Sequence, residues 1–258
     1  MDTKNWNPEL YLKYKKERTQ PSIDLVNRIE ISNPNKIVDI GCGPGNSTEI
    51  LIKRWQNADI IGIDNSPQMI EKAKKDYPDY KWLLSDAKDW KPKDKYDIIF
   101  SNATLQWMSN QKELIKNLFD FLSEDGILAV QVPANSDSPL HKALIEVSKR
   151  ADYDLNTKKC RELIHYHNEE FYYDILSQLS SDFNIWTTTY YHILNDYIDL
   201  IEWYKGSGMK IYLDSLPEEK IKQNFEKSVL EECKKCYKQQ KDGKIIFGFR
   251  RLFFTVKK

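Results

Sequence analysis

Along the first half of the chain, short runs of β-branched and apolar residues alternate with amphipathic stretches at helical spacing. KIVDI (36–40), ADIIGID (58–64), YKWLL (80–84), YDIIF (96–100) and GILAVQV (126–132) read as strands. Residues 46–54 and 110–122 read as helices. Ser66 followed by Pro67 opens another helix that runs to about Asp76, because a serine cap with proline in the first turn marks a helix start. These strands are apolar on both faces, as expected of a parallel sheet covered by helices on both sides. Residues 8–30 read as helical, with a break or restart at Pro21. In the second half, 137–150 and 168–180 read as helices. FNIWTTTYYHIL (183–194) and KIIFGFRRLFFTV (244–256) read as two long strands, an antiparallel pair at one edge.

The alternation of strands and helices implies a doubly wound α/β fold with a mainly parallel seven-stranded sheet and an antiparallel edge strand. The expected organisation is a single domain over 1–258. Its core lies at about 31–135 and 183–258, with an N-terminal helical lid (8–30) and a helical cap inserted at about 195–243. The Lys/Glu-rich stretch 217–243 reads as the solvated face of that cap.

Lys plus Arg and Asp plus Glu are both 39, so the formal charge is zero. That balance lacks the basic excess of a nucleic-acid binder. No apolar run is long enough to span a bilayer, and the N-terminus lacks the apolar core of a signal peptide. Four cysteines, Cys42, Cys160, Cys233 and Cys236, are few for the length. They suggest reduced thiols in the cytoplasm. Cys233 and Cys236 have the spacing of half a zinc site without a second pair, so no metal is expected.

The segment from Val38 to Asn46, VDIGCGPGN, carries the chemistry. Glycines after a first strand allow a tight turn and close ligand approach. Asp64 ends the next strand, where a carboxylate can accept from ribose hydroxyls. The spacing is G-x-G-x-G, whereas a dinucleotide fingerprint is G-x-G-x-x-G. Asp39, two residues ahead of Gly41, would repel a pyrophosphate and suits an ammonium or sulfonium. Asp86, after the third strand, is placed to accept from an adenine amino group. Singly, Asp64 and Asp86 also fit cap or turn roles, and Asp39 fits an acid bonded to the loop amides. Together the three favour S-adenosylmethionine.

Further segments carry a resemblance: WNPELYLKYKKERTQP (6–21), VDIGCGPGNST (38–48), GIDNSPQMI (62–70), SNATLQWM (101–108), LAVQVPAN (128–135), YYDIL (172–176), IWTTTYYH (185–192) and RLF (251–253). On these the chain resembles the class I S-adenosylmethionine-dependent methyltransferases, most closely the trans-aconitate 2-methyltransferase family. The resemblance implies a Rossmann-like methyltransferase fold, with Gly41, Gly43 and Gly45 against the methionine part of the cofactor. It places Asp64 on the ribose, Asn65 and Met69 beside the adenine, and Ser85, Asp86 and Ala87 around the adenine pocket. Asn102 and Ala103 would contact the methionine backbone. The chain departs from the family pattern at Gly208-Met209-Lys210-Ile211 and at Phe249-Arg250-Arg251.

The implied reaction is transfer of a methyl group to a carboxylate oxygen of a small polycarboxylic acid. Carboxylic acids with a pKa of about 4 are ionised at neutral pH, so no general base is expected. Positioning, anion-holding groups and aromatic walls would suffice. The candidates are Tyr11, Tyr14, Arg18, Trp107, Tyr190, Tyr191, His192, Trp203, Lys210 and Arg251; Arg18 could instead hold the cofactor's own carboxylate. The partner is a small acid, with neither nucleic acid nor membrane, and the oligomeric state stays open. The alternatives are another small-molecule oxygen, nitrogen or carbon acceptor, or a non-catalytic module that binds S-adenosylmethionine.

Overall fold

The computed structural model describes residues 15–258. Seven strands form one sheet in the order β3-β2-β1-β4-β5-β7-β6. They are β1 (Lys36–Ile40), β2 (Asp59–Asp64), β3 (Lys81–Leu84), β4 (Tyr96–Asn102), β5 (Leu122–Pro133), β6 (Phe183–Leu194) and β7 (Ile245–Lys257). β1 to β5 pair in parallel and β7 runs antiparallel to β5. The chain partitions into two compact units. One holds the described residues 15–133 together with 167–187 and 251–258, and the other holds 134–166 and 188–250.

In the sheet unit, consecutive residues of the central strands are buried, including Ile37 to Ile40, Ile98 to Phe100 and Leu128 to Val130. Burial on both strand faces is why these runs carry no polar alternation. The helices are α1 (Lys15–Asn27), α2 (Asn46–Arg54), α3 (Pro67–Asp76), α4 (Gln111–Asp120) and α7 (Glu169–Leu176). Ser66 caps α3 by accepting from the Met69 amide, as the Ser-Pro pair implied.

The expected break at Pro21 does not occur: α1 runs through it. Interior proline costs a helix about 3 kcal/mol through the lost hydrogen bond and ring clash. Leu25 and Val26 are fully buried, and the helix packs on α2 and β5, so tertiary burial overrides the local penalty. A second correction concerns 110–122, where the helix stops at Asp120 and β5 already begins at Leu122. Asp125 adopts φ +64°, and the β4–β5 register shifts between Tyr96 and Ile98. That irregular start hid the strand's first residues from a period-two reading.

The second unit contains α5 (Pro139–Ser148), α6 (Ala151–Thr157), α8 (Tyr197–Lys205), α9 (Lys210–Ser215) and α10 (Glu219–Cys236). α10 turns Phe225, Val229 and Cys233 inward at helical spacing and packs on α5. Its Lys/Glu residues take the remaining faces, as expected. Two aromatic clusters fill this unit: Tyr153 and Tyr212 around Phe225, and Phe247 and Phe249 around Trp203.

Candidate cofactor site

The glycine loop joins β1 to α2 and is fixed from the neighbouring strand. Gly41 N and Cys42 N both donate to the Ile63 carbonyl, at 2.7 and 3.0 Å. Gly41, Gly43 and Gly45 all have positive φ, at +72°, +55° and +96°, which an L side chain rarely adopts. Their surroundings differ. A Cβ on Gly41 would lie 2.1 Å from Thr104 Oγ1, whereas one on Gly43 meets nothing within 4 Å. Gly45 backs onto the Tyr77 and Trp82 rings and is the N-cap of α2. Gly41 and Gly43 line a cavity, and Gly45 is not part of its lining.

That cavity, of about 340 Å³, opens at the C-terminal ends of β1, β2, β3 and β4. Asp64, Asn65 and Met69 line it, as do Ser85, Asp86 and Ala87 from the β3 end. Asn102, Ala103 and Trp107 close it from the β4 side. Asp64 ties the strand tips together: its carboxylate accepts from Gly43 N at 3.0 Å and from Ser66 N at 2.8 Å. Burial raises its pKa, and the amide donors oppose that rise. Each oxygen keeps a lone pair for a further donor. Asp86 accepts from Lys88 N at 3.2 Å.

A smaller adjoining pocket is lined by Arg18, Ser22, Gly43, Asn46, Ser47 and Asn102. Arg18 is 7% exposed, so α1 does bring this guanidinium to the loop. Two buried side-chain atoms of this lining, Asn46 Nδ2 and Asn102 Oδ1, have no partner among the described residues. A donor and an acceptor left unsatisfied together suit a ligand carrying both a carboxylate and an ammonium.

Asp39 lines neither cavity. It is fully buried, and its Oδ2 accepts from the hydroxyls of Ser47 (2.7 Å) and Thr48 (2.6 Å), not from the loop amides. Its Oδ1 has no partner among the described residues. Burial pushes its pKa up to about 6 against those two hydrogen bonds, and Asp64 adds to the rise.

Ala103 is a non-glycine residue at φ +55°, a strained conformation held by its surroundings. Its N–H donates to the Gln131 carbonyl at 2.9 Å, and its own carbonyl accepts from Gln106 Nε2 at 2.6 Å.

A family model for a methyltransferase domain matches residues 14–186. The chain belongs to the methyltransferase-domain family. Among curated proteins, it is 37% identical over 257 residues to a trans-aconitate 2-methyltransferase of Enterobacter sp. (strain 638), covering 98% of each chain. A trans-aconitate 2-methyltransferase of Escherichia coli O157:H7 is 37% identical over 254 residues, again covering 98% of each. Among solved structures, the YcgJ protein of Bacillus subtilis aligns at a TM-score of 0.61 and 15% identity, covering 92% of this chain and 98% of that one. Coclaurine N-methyltransferase aligns at 0.56 and 15%, covering 93% and 72%. At such identities the structures speak for the shared fold.

The methyltransferase fold thus brings together ten of the expected cofactor residues around one cavity, with Trp107 as a wall. Arg251, on β7, is 6% exposed, and its Nη1 lies 3.4 Å from Gln131 Oε1. Five other candidates belong to the second unit, Trp203 among them. Tyr191 is 70% exposed, His192 lies with its ring 4.4 Å from that of the buried Trp203, and Lys210 pairs with Asp214 on its own helix. Tyr190 is half-buried. Tyr11 and Tyr14 lie outside the described residues. Sequence reasoning did not single out Asn46, Thr104, Gln106 or Gln131. The available signal for Gln131 was a lone amide inside an otherwise apolar strand run.

Among the described residues, no group of three or more His, Cys, Asp or Glu is placed to hold a metal ion. No helix among them is long and apolar enough to cross a membrane.

Proposed function

We propose that the chain is an S-adenosylmethionine-dependent O-methyltransferase that esterifies one carboxylate of a small polycarboxylic acid, trans-aconitate foremost. The observation that carries this reading is 37% identity, over nearly the whole chain, to trans-aconitate 2-methyltransferases. The residues present fit the cofactor on independent grounds. Asn102 Oδ1 and Asn46 Nδ2 offer one acceptor and one donor to the amino-acid end, with Arg18 beside them. Asp39, one hydrogen bond behind Ser47, supplies negative charge that favours an ammonium there. Asp64 would hold the ribose hydroxyls, while Met69, Asp86 and Ala87 would enclose the adenine.

When bound, S-adenosylmethionine supplies a methyl group made electrophilic by its sulfonium. The chain's own task is orientation. An acid acceptor is ionised at neutral pH, so no residue has to remove a proton. Holding two reactants in line contributes about 7–11 kcal/mol by itself. Trp107 supplies an apolar wall that keeps water from the reacting oxygen. Arg251 supplies a charge that stays protonated at any working pH.

A methyl-transfer screen over small organic acids with radiolabelled cofactor tests this reading. The expected result is label on trans-aconitate or a related polycarboxylate, released by mild base as an ester is. Label that resists base would mean another acceptor atom. Cofactor binding without turnover on any acid would mean a binding module.

A further inference from the structure

Gln131 sits inside the buried stretch of β5 from Ile127 to Val132 and is itself fully buried. Its backbone carbonyl accepts from Ala103 N, and it pairs in register with Asn102; both of those residues line the cofactor cavity. Its side chain faces Arg251, with Oε1 3.4 Å from Nη1. The assignment of the two amide atoms is chemically forced, because a guanidinium only donates and the oxygen must face it. Gln131 Nε2 is then left with no partner among the described residues. A buried donor without an acceptor is destabilising, and an apolar side chain of the same shape would avoid that cost. Holding Arg251 accounts for the oxygen and leaves the nitrogen unexplained.

Resting on the reading above, we propose that Gln131 determines acceptor specificity. It fixes Arg251 through Oε1 and offers Nε2 as a second donor to a carboxylate of the acid other than the one being methylated. A neutral amide suits this task better than a glutamate. A carboxylate at 131 would also accept from Arg251, and more strongly, but it would cancel the charge meant for the substrate and present an acceptor where a donor is needed. The pair thus selects acids with at least two ionised carboxylates over monocarboxylates. A purely structural Gln131 makes the opposite forecast: Q131E would keep or improve the contact to Arg251 and change nothing else.

The test compares wild type, Q131E and Q131M. Trans-aconitate is titrated calorimetrically into each protein loaded with S-adenosylhomocysteine, and KM and kcat are measured alongside. Loss of a donor to a charged group is expected to weaken acid binding at least about tenfold in both variants, and most in Q131E. S-adenosylhomocysteine affinity should stay within about twofold of wild type, with KM rising more than kcat falls. Trans-aconitate affinity in folded Q131E within about twofold of wild type would overturn the assignment. If wild type binds and methylates the acid and Q131E does so equally well, only Gln131 is misassigned. If wild type neither binds nor methylates it, the substrate reading fails and this inference fails with it.

Discussion

Asp39→Asn isolates the one carboxylate that the fold buries completely. Its pKa rises from 3.8 to about 6 on burial, equivalent to about 3 kcal/mol. Below pH 3.8 both folded and unfolded chains hold the proton. Between 3.8 and about 6 the unfolded chain releases it first, so stability falls as pH rises, and the loss is complete above 6. Asparagine removes this penalty but leaves its buried NH2 group unpaired, at about 1 kcal/mol. The ligand-free variant should therefore be more stable than wild type by about 2 kcal/mol at pH 7.5, or about 5 °C in melting temperature. At pH 4 that advantage should vanish or reverse. Cofactor affinity should move the other way, falling about tenfold or more as the negative charge behind Ser47 is lost. Melting both ligand-free proteins across pH 4–8 gives the first quantity, and calorimetry gives the second. A difference in melting temperature that is flat across that range would refute the burial argument.

Asp64→Ala should weaken S-adenosylmethionine binding at least about 100-fold by calorimetry, because it removes the acceptor for ribose and the tie to Gly43 N. Gly41→Ala places a Cβ 2.1 Å from Thr104 Oγ1 at φ +72°, so it should destabilise the protein by about 2 kcal/mol. Combining it with Thr104→Gly should recover part of that loss beyond additivity in a urea-unfolding cycle. His141 is buried, with its Nδ1 2.8 Å from Tyr204 Oη, and burial lowers its pKa from 6.5 to about 4. As pH falls from 6.5 to 4 the unfolded chain takes the proton first, so stability should drop by up to about 3 kcal/mol. In His141→Gln this acid-side slope should flatten, as read from melting temperatures.

Elements with a clean period were legible from residue order alone. The runs at 36–40, 96–100 and 183–194 became strands at or near those bounds because they are rich in β-branched and aromatic residues. The Ser66-Pro67 signature fixed the start of α3. α6 was missed because ADYDLNT is short and polar, and it keeps only Tyr153 and Thr157 buried. The loop glycines and the acids at strand tips were also legible, since their spacing reflects backbone turns that are local in sequence.

Local pattern could therefore specify the alternating fold, the ligand loop and Asp64. Tertiary structure decided which glycine faces open space, that Asp39 pairs with Ser47 and Thr48 hydroxyls, and that Gln131 meets Arg251, 120 positions away. The physical reason is that conformational preference acts over a few residues. Burial, orphaned hydrogen-bond groups and shifted pKa values arise only when distant strands are laid side by side.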